Sequence, residues 1–196
     1  LHQAYRGSSI PASIVKAVDQ TRGEVLMYEG SPIAAFYHST SVGMTEDPVE
    51  VFGKSYPYLK SVETRCKLSP YFMWEKRIPA AAIEKAMDIS GLKGIEIDSY
   101  TASNRVKVFK LVTETGEVEV AGNDFRRNIG WDELPSTMIT DIAKDGDVYV
   151  FDGKGYGHGV GMSQWAALEM AKEGKSYKEI LSRFYPGTTI DIYEDR

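Results

Sequence analysis

Apolar and polar positions alternate in three successive stretches near the middle of the chain, "GIEIDSY", "NRVKVFKLVT" and "EVEVAG". A period of two is that of a half-buried strand, and three such runs in a row predict an antiparallel meander. "YFMWEKRI" and "GDVYVFDG" predict two more strands, and "YLKSVE" and "TTIDIY" two short ones. "GEVLMYEGSPIAAFYHS" reads as a hairpin, with strands at 24–28 and 32–39 around Glu29-Gly30-Ser31. Helical spacing falls at 11–20, with Ser8 or Ser9 as cap, and in "PAAAIEKAMDIS", which opens on Pro79 and ends toward Gly91. It falls also in "NDFRRNIG", with Asn123 or Asp124 as cap, at about 162–172, and in "SYKEILSRFYP". In the last, Ser176 and Glu179 fit a capping box. Strands and helices mix without βαβ alternation, so the expected class is α+β, with mixed antiparallel sheets and short helices. Two lobes around a cleft are expected: 1–63 with 149–196, and an inserted lobe at 64–148.

The bulk properties narrow the function classes. Net charge is -5 over 196 residues, which excludes a general nucleic-acid footprint. No apolar run approaches the ~18 residues of a membrane span. The single cysteine, Cys66, allows no internal disulfide and no cysteine-based zinc site. Its neighbours Arg65 and Lys67 are of the kind that lower a thiol pKa, although a lone cysteine is ordinarily an incidental thiol. Twelve tyrosines against seven phenylalanines suit a sugar cleft, where a ring face packs on C–H groups, and suit an ordinary core equally. The start, "LHQAYRGSS", is neither a signal peptide nor a Met start, so the chain reads as a mature or trimmed piece of something longer.

Two segments carry most of the chemistry: "FYHSTSVGMTED" at 36–47 and "GYGHGVGMSQW" at 155–165. Each follows a predicted strand, and together they hold His38 and His158, two of the three histidines. A phosphate loop needs Gly-Lys-Ser/Thr, which is missing, and the alternate glycines of "GYGHGVG" do not match G-x-G-x-x-G. A serine nucleophile could pair Ser39 or Ser163 with a histidine and Asp47 or Asp152, but the G-x-S-x-G elbow is absent. Three scattered histidines lack metal-ligand spacing, yet residues distant in sequence can converge. Glycoside cleavage needs a general acid, and Glu46, beside Asp47 on the long loop, is the candidate catalytic carboxylate.

Both segments, with "PYLKSVE", "GNDFRRNIG", "LPST" and the run from "GKGYGHGVGMSQW" to "FYPGTTI", resemble in order the motifs of the SpoIID/LytB family. This is the family of stage II sporulation protein D and the amidase enhancers, and the resemblance runs from about Gln3 to Ile190. It implies action on peptidoglycan outside the cytoplasm, at the cell wall or septum, by a soluble piece of a protein that is membrane-anchored at full length. The implied activity is that of a lytic transglycosylase on peptide-stripped glycan strands, which leaves 1,6-anhydro ends. The alternative is a non-enzymatic, glycan-binding enhancer of an N-acetylmuramoyl-L-alanine amidase. Implied partners are glycan strands, an amidase and a septal membrane complex. The family's catalytic Glu lies in an upstream Glu-Met-Pro segment that this sequence does not contain. Some members bind zinc through cysteines; here His2 stands where a Cys is common, and the expected cofactor is none. Val42 and Ala166 depart from usual glycines. The expected substrate-binding residues are His38, Ser39 and Thr40 on one wall, with Tyr156, His158, Ser163 and Gln164 on the other. Arg126 is added as a partner for a carboxylate. The helix start after Ser163 is expected to favour an anion such as the lactyl group of muramic acid.

Overall fold

A computed structural model describes residues 10–193. Among them are six helices and thirteen strands in five small sheets, four antiparallel and one a parallel pair, so the class is α+β. None of these helices is long and apolar enough to cross a membrane. The described residues divide into two compact units, 10–33 with 188–193, and 34–187.

In the first unit the helix Ala12–Gln20 precedes the strand Glu24–Tyr28, which pairs on one side with Ser31–Pro32 and on the other with Thr189–Ile192. Glu29 and Gly30 both take positive φ, as a tight hairpin turn requires. Pro11 offers the helix no side-chain cap, and the expected caps Ser8 and Ser9 lie outside the described residues. The expected strand at 32–39 is broken into Ser31–Pro32 and Tyr37–His38, because the Phe36 N–H turns back onto Ala34 O (2.9 Å).

The second unit contains the meander, Leu92–Tyr100, Val106–Thr113 and Gly116–Ala121, as the alternation predicts. A second antiparallel sheet places Val148–Gly153 between Ile139–Asp145 and Trp74–Pro79. The helices Ala80–Met87 and Gly122–Ile129 help to close one core, in which Ile83, Phe109, Leu111, Phe125, Leu134 and Phe151 are fully buried. Gly122 opens its helix hard against the meander: a Cβ there would meet Val106 O at 2.0 Å. Neither Asn123 nor Asp124 caps this helix, which begins one residue earlier, after Ala121. The helix Ala80–Met87 ends on Asp88 in the left-handed conformation, ahead of Gly91.

The expected strand "YLKSVE" survives only as Glu63–Thr64, paired with Gly43–Met44. Before it, Tyr58 and Leu59 turn inward, and the Tyr58 hydroxyl accepts the Ala34 N–H (3.0 Å). The long polar loop also holds an unforeseen helix, Pro48–Phe52, capped by Asp47 and ended by Gly53 at φ 65°. The helices Gln164–Lys172 and Tyr177–Phe184 follow, and the capping box of Ser176 and Glu179 is formed.

Candidate functional site

The alternate glycines at 155–161 join the two loaded segments. Gly155, Gly157, Gly159 and Gly161 all have positive φ, between 73° and 107°. Cβ atoms on them would strike Thr40 O, His38 Cβ, the Arg105 guanidinium and Phe36 O, at 2.8, 2.8, 2.5 and 2.0 Å. The close approach that these glycines permit is therefore to the chain's own segment 36–41 and to Arg105. Thr40 and Tyr156 exchange backbone hydrogen bonds (3.0 and 2.9 Å), and Met162–Ser163 pairs in parallel with Tyr37–His38.

This pairing gathers the expected residues. His38 is buried and donates from Nδ1 to Val160 O (3.1 Å), and its Nε2 has no hydrogen-bond partner among the described residues. His158 lies with its ring centre 5.6 Å from that of His38; its Nδ1 accepts the Val160 N–H (3.0 Å), and it hydrogen-bonds the Tyr37 backbone. Burial, followed by the Arg126 charge, lowers the His158 pKa to about 4, so the ring is neutral at neutral pH. Burial, followed by His158 and Arg105, lowers that of His38 well below the usual histidine value. Thr40 is buried on Ser69 (2.6 Å between hydroxyls), and Ser39 is half-buried beside it. Tyr156 donates to Asp132 (2.5 Å), a bond that, ahead of burial, raises its pKa to about 12. Arg126 is buried, and its Nε donates to Leu134 O (2.8 Å).

Ser163 caps the helix Gln164–Lys172 and is fully buried. Its Oγ meets Ser39 O (3.3 Å), the Ser41 N–H (3.3 Å) and Cys66 Sγ (3.1 Å), and no histidine is among these partners. Gln164 opens the helix and is exposed. Cys66 is buried, and burial raises its pKa, opposite to the lowering that Arg65 and Lys67 suggest. The thiol is packed inside, against Ser163.

Glu46 is 3% exposed. Its Oε1 accepts the Asp47 N–H (2.8 Å), and its Oε2 accepts the hydroxyls of Thr101 (2.6 Å) and Ser103 (2.8 Å). Ser103 in turn accepts from Arg105 (2.8 Å), whose other donors hold Met44 O (3.0 Å) and Ser41 Oγ (2.7 Å). A buried guanidinium thus ties the long loop, the turn at 101–105 and the glycine segment together. Glu46 lines a cavity of about 200 Å³ with Glu50, Thr101, Lys107 and Asn123. This is below the ~300 Å³ at which small-molecule sites usually begin.

Aromatic rings border the site. Phe36 stacks on Phe52 (4.6 Å) and meets Tyr56 (5.5 Å), and Phe52 meets His158 edge-on (5.5 Å). Tyr71 packs on Tyr156 (4.5 Å), and Trp131 covers the Arg126 guanidinium (4.6 Å). Phe52, Tyr71 and Trp131 remain 39%, 38% and 50% exposed, enough to offer ring faces to a ligand. Of these residues, sequence reasoning passed over Arg105, Ser103, Asp132, Trp131, Phe52 and Tyr71. Among the described residues no three His, Cys, Asp or Glu side chains are grouped, and Cys66 is packed on Ser163; His2 lies outside the described residues.

Residues 63–161 match, and belong to, the family described as Domain of unknown function (DUF8618). The chain is 34% identical to Stage II sporulation protein D of Bacillus subtilis (strain 168), over 90% of this chain and 50% of that protein. It is 32% identical to the Amidase enhancer of the same organism, over 97% of this chain and 34% of that protein. A Stage II sporulation protein D of Bacillus amyloliquefaciens is 32% identical over 92% of this chain and 51% of that protein. The chain belongs to the SpoIID/LytB family. It spans about half the length of the sporulation relatives and a third of the amidase enhancer. The family motifs at 36–47 and 155–165 are the two segments that the alternate glycines hold together.

Proposed function

We propose that this chain binds peptidoglycan glycan strands and acts as a lytic transglycosylase, or as the strand-binding part of one, in sporulation or wall remodelling. The observation that carries this reading is that three partly exposed rings, Phe52, Tyr71 and Trp131, pack on the site residues His158, Tyr156 and Arg126 respectively. Such faces pack on the C–H groups of pyranose rings. The similarity to a protein named for stage II of sporulation points the same way.

In the proposed reaction a carboxylic acid protonates the glycosidic oxygen that leaves N-acetylmuramic acid. The carboxylate then takes the proton of the muramoyl 6-hydroxyl as that oxygen attacks C1. The C1–O bond to N-acetylglucosamine breaks, the 1,6-anhydro ring forms, and no water is consumed. Within this chain Glu46 is the carboxylate proposed for that role. Similarity to a protein named Amidase enhancer over nearly the whole chain supports a second reading, in which the chain binds strands and stimulates an amidase without cutting glycan. Incubation with peptide-stripped strands, followed by mass spectrometry, separates the two. New 1,6-anhydro ends that vanish in Glu46→Gln establish the first. Binding without new ends leaves either the strand-binding part of such an enzyme or the enhancer, and strands neither bound nor cut refute both.

A further inference from the structure

A second cleft, which shares no lining residue with the site above, lies between the strand Glu63–Thr64 and the helices Gln164–Lys172 and Tyr177–Phe184. Its volume is about 410 Å³, inside the ~300–1,000 Å³ range of small-molecule sites. Six of its ten lining residues are charged: Glu63, Glu169 and Glu173 against Arg65, Lys175 and Arg183, so the lining carries no net charge. None of the six forms an ion pair with another among the described residues, and Lys175 reaches Glu179, outside the cleft (3.3 Å). Two of the charges are already held by the backbone. Glu169 is half-buried and its Oε1 accepts the Leu68 N–H (2.7 Å), while its Oε2 has no hydrogen bond among the described residues. Arg183 donates from Nη2 to Glu63 O (2.7 Å), and its Nε and Nη1 have no hydrogen bond among those residues. Each keeps hydrogen-bonding capacity in reserve while its own freedom is reduced, so a ligand that meets both orders little that is not ordered already.

The lining selects by charge. Three carboxylates repel a phosphate or another polyanion, and three cations repel a polyamine, whereas a ligand with one positive and one negative group satisfies both. None of the ten lining residues is aromatic, so the ring-face contact that suits a pyranose is missing. Ala166 and Met170 supply the apolar lining, too little to form a pocket specific for one kind of side chain. We infer that this cleft binds short peptides with both ends free, the terminal ammonium at Glu169 and the terminal carboxylate at Arg183. Recognition is of the two ends and not of the side chains between them. Glycan strands do not enter into it, and a chain that binds no strand can still bind such a peptide.

The test is a titration of the whole chain, isotopically labelled, with di-, tri- and tetraalanine, read from amide NMR shifts. At least one length is expected to bind with a Kd of about 1 mM or tighter, and to shift the amides at 63–65 and 166–175 ahead of those at 155–161. For that length, acetylating the amino end or amidating the carboxyl end should each weaken binding about fivefold or more, because each cap removes one charge-assisted contact. Added salt should shrink both penalties. Glu169→Gln, which can still accept the Leu68 N–H, should abolish the penalty for acetylation and keep that for amidation. Arg183→Gln should do the converse. No shift of the cleft amides by any length at about 10 mM overturns the inference. So do capped peptides that bind within about twofold of the free one, and so does a Glu169→Gln variant that weakens free and capped peptides equally, since Glu169 would then only hold the Leu68 backbone. Should Arg183→Gln fail to fold, the wild-type capping series and Glu169→Gln decide the matter.

Discussion

Gly161 offers the sharpest test of how the two motif segments are held. A Cβ at this position would lie 2.0 Å from Phe36 O, and the residue's φ is +73°. Alanine therefore meets two separate penalties. The left-handed backbone costs a residue with a Cβ about 1–2 kcal/mol. The clash with a backbone oxygen cannot be relieved by rotating a side chain, and overpacking of this kind costs about 1–3 kcal/mol. Phe36 O also accepts the Met162 N–H (3.1 Å) and the Tyr185 hydroxyl (2.7 Å), so moving it strains two hydrogen bonds worth about 1 kcal/mol each. Gly161→Ala should lose roughly 3–6 kcal/mol. Gly174 is the control, with φ +88° and no atom within 4 Å of the place a Cβ would take. Gly174→Ala should lose only the conformational ~1–2 kcal/mol. For a chain of this size the difference corresponds to roughly 5–15 °C in Tm. Urea and thermal unfolding of both variants beside wild type give the comparison. If the two lose the same stability to within about 1 kcal/mol, the glycines are needed only for their dihedral angles, and close approach is not what they serve.

Three further outcomes follow from the same contacts. Glu46→Gln should lower stability by about 1–3 kcal/mol in urea unfolding, because the buried carboxylate accepts three hydrogen bonds; an unchanged midpoint would show that the Glu46–Ser103–Arg105 network does not hold the loop. Ser163→Ala should cost about 1–2 kcal/mol through loss of the helix cap, checked by the same assay, and a neutral result would show that the cap contributes nothing. Stability should also fall as pH drops from about 6.5 toward 4. His158 titrates near 4 in the folded chain and near ~6.5 unfolded, so the unfolded state takes up the proton first and the folded state loses on the order of 3 kcal/mol across that window. His38 adds to the fall in the same direction. Urea midpoints at pH 7 and pH 4.5 should differ less in His158→Gln than in wild type; equal pH dependence would sink the assignment.

What the sequence made legible was what depends on neighbours along the chain. The meander at 92–121 follows from a two-residue period, and the capping box from Ser176 and Glu179 three residues apart. The break in the strand at 32–39 and the shortening of "YLKSVE" were hidden, because their cause is the partner met in space. Residues 58–59 bury their side chains instead of extending a ladder, and only Glu63–Thr64 finds a strand to join. The same limit applied to the site. Histidines and glycines in polar loops drew attention by composition, and the structure brings His38, His158, Thr40, Tyr156 and Ser163 together. Arg105 had no such signal, since a lone arginine after a turn is ordinarily a surface residue. Only its contacts with Ser41, Met44 and Ser103 reveal it as the tie between segments.

The spacing of the glycines links the two scales. Every second residue from 155 to 161 lacks a side chain, while Tyr156, His158 and Val160 between them project side chains. An extended strand of ordinary residues would put alternate side chains on both faces, and here one face must lie within contact of Phe36 O, His38, Thr40 O and Arg105. Removing the side chains from that face lets the segment sit against the 36–41 backbone. Tyr156 and His158 remain half-buried, beside Tyr71 and Phe52 respectively. The motif is thus a packing device whose effect is to display the candidate ligand-binding rings. It follows that substitutions at the glycines should act first on stability, and substitutions at the displayed rings first on binding.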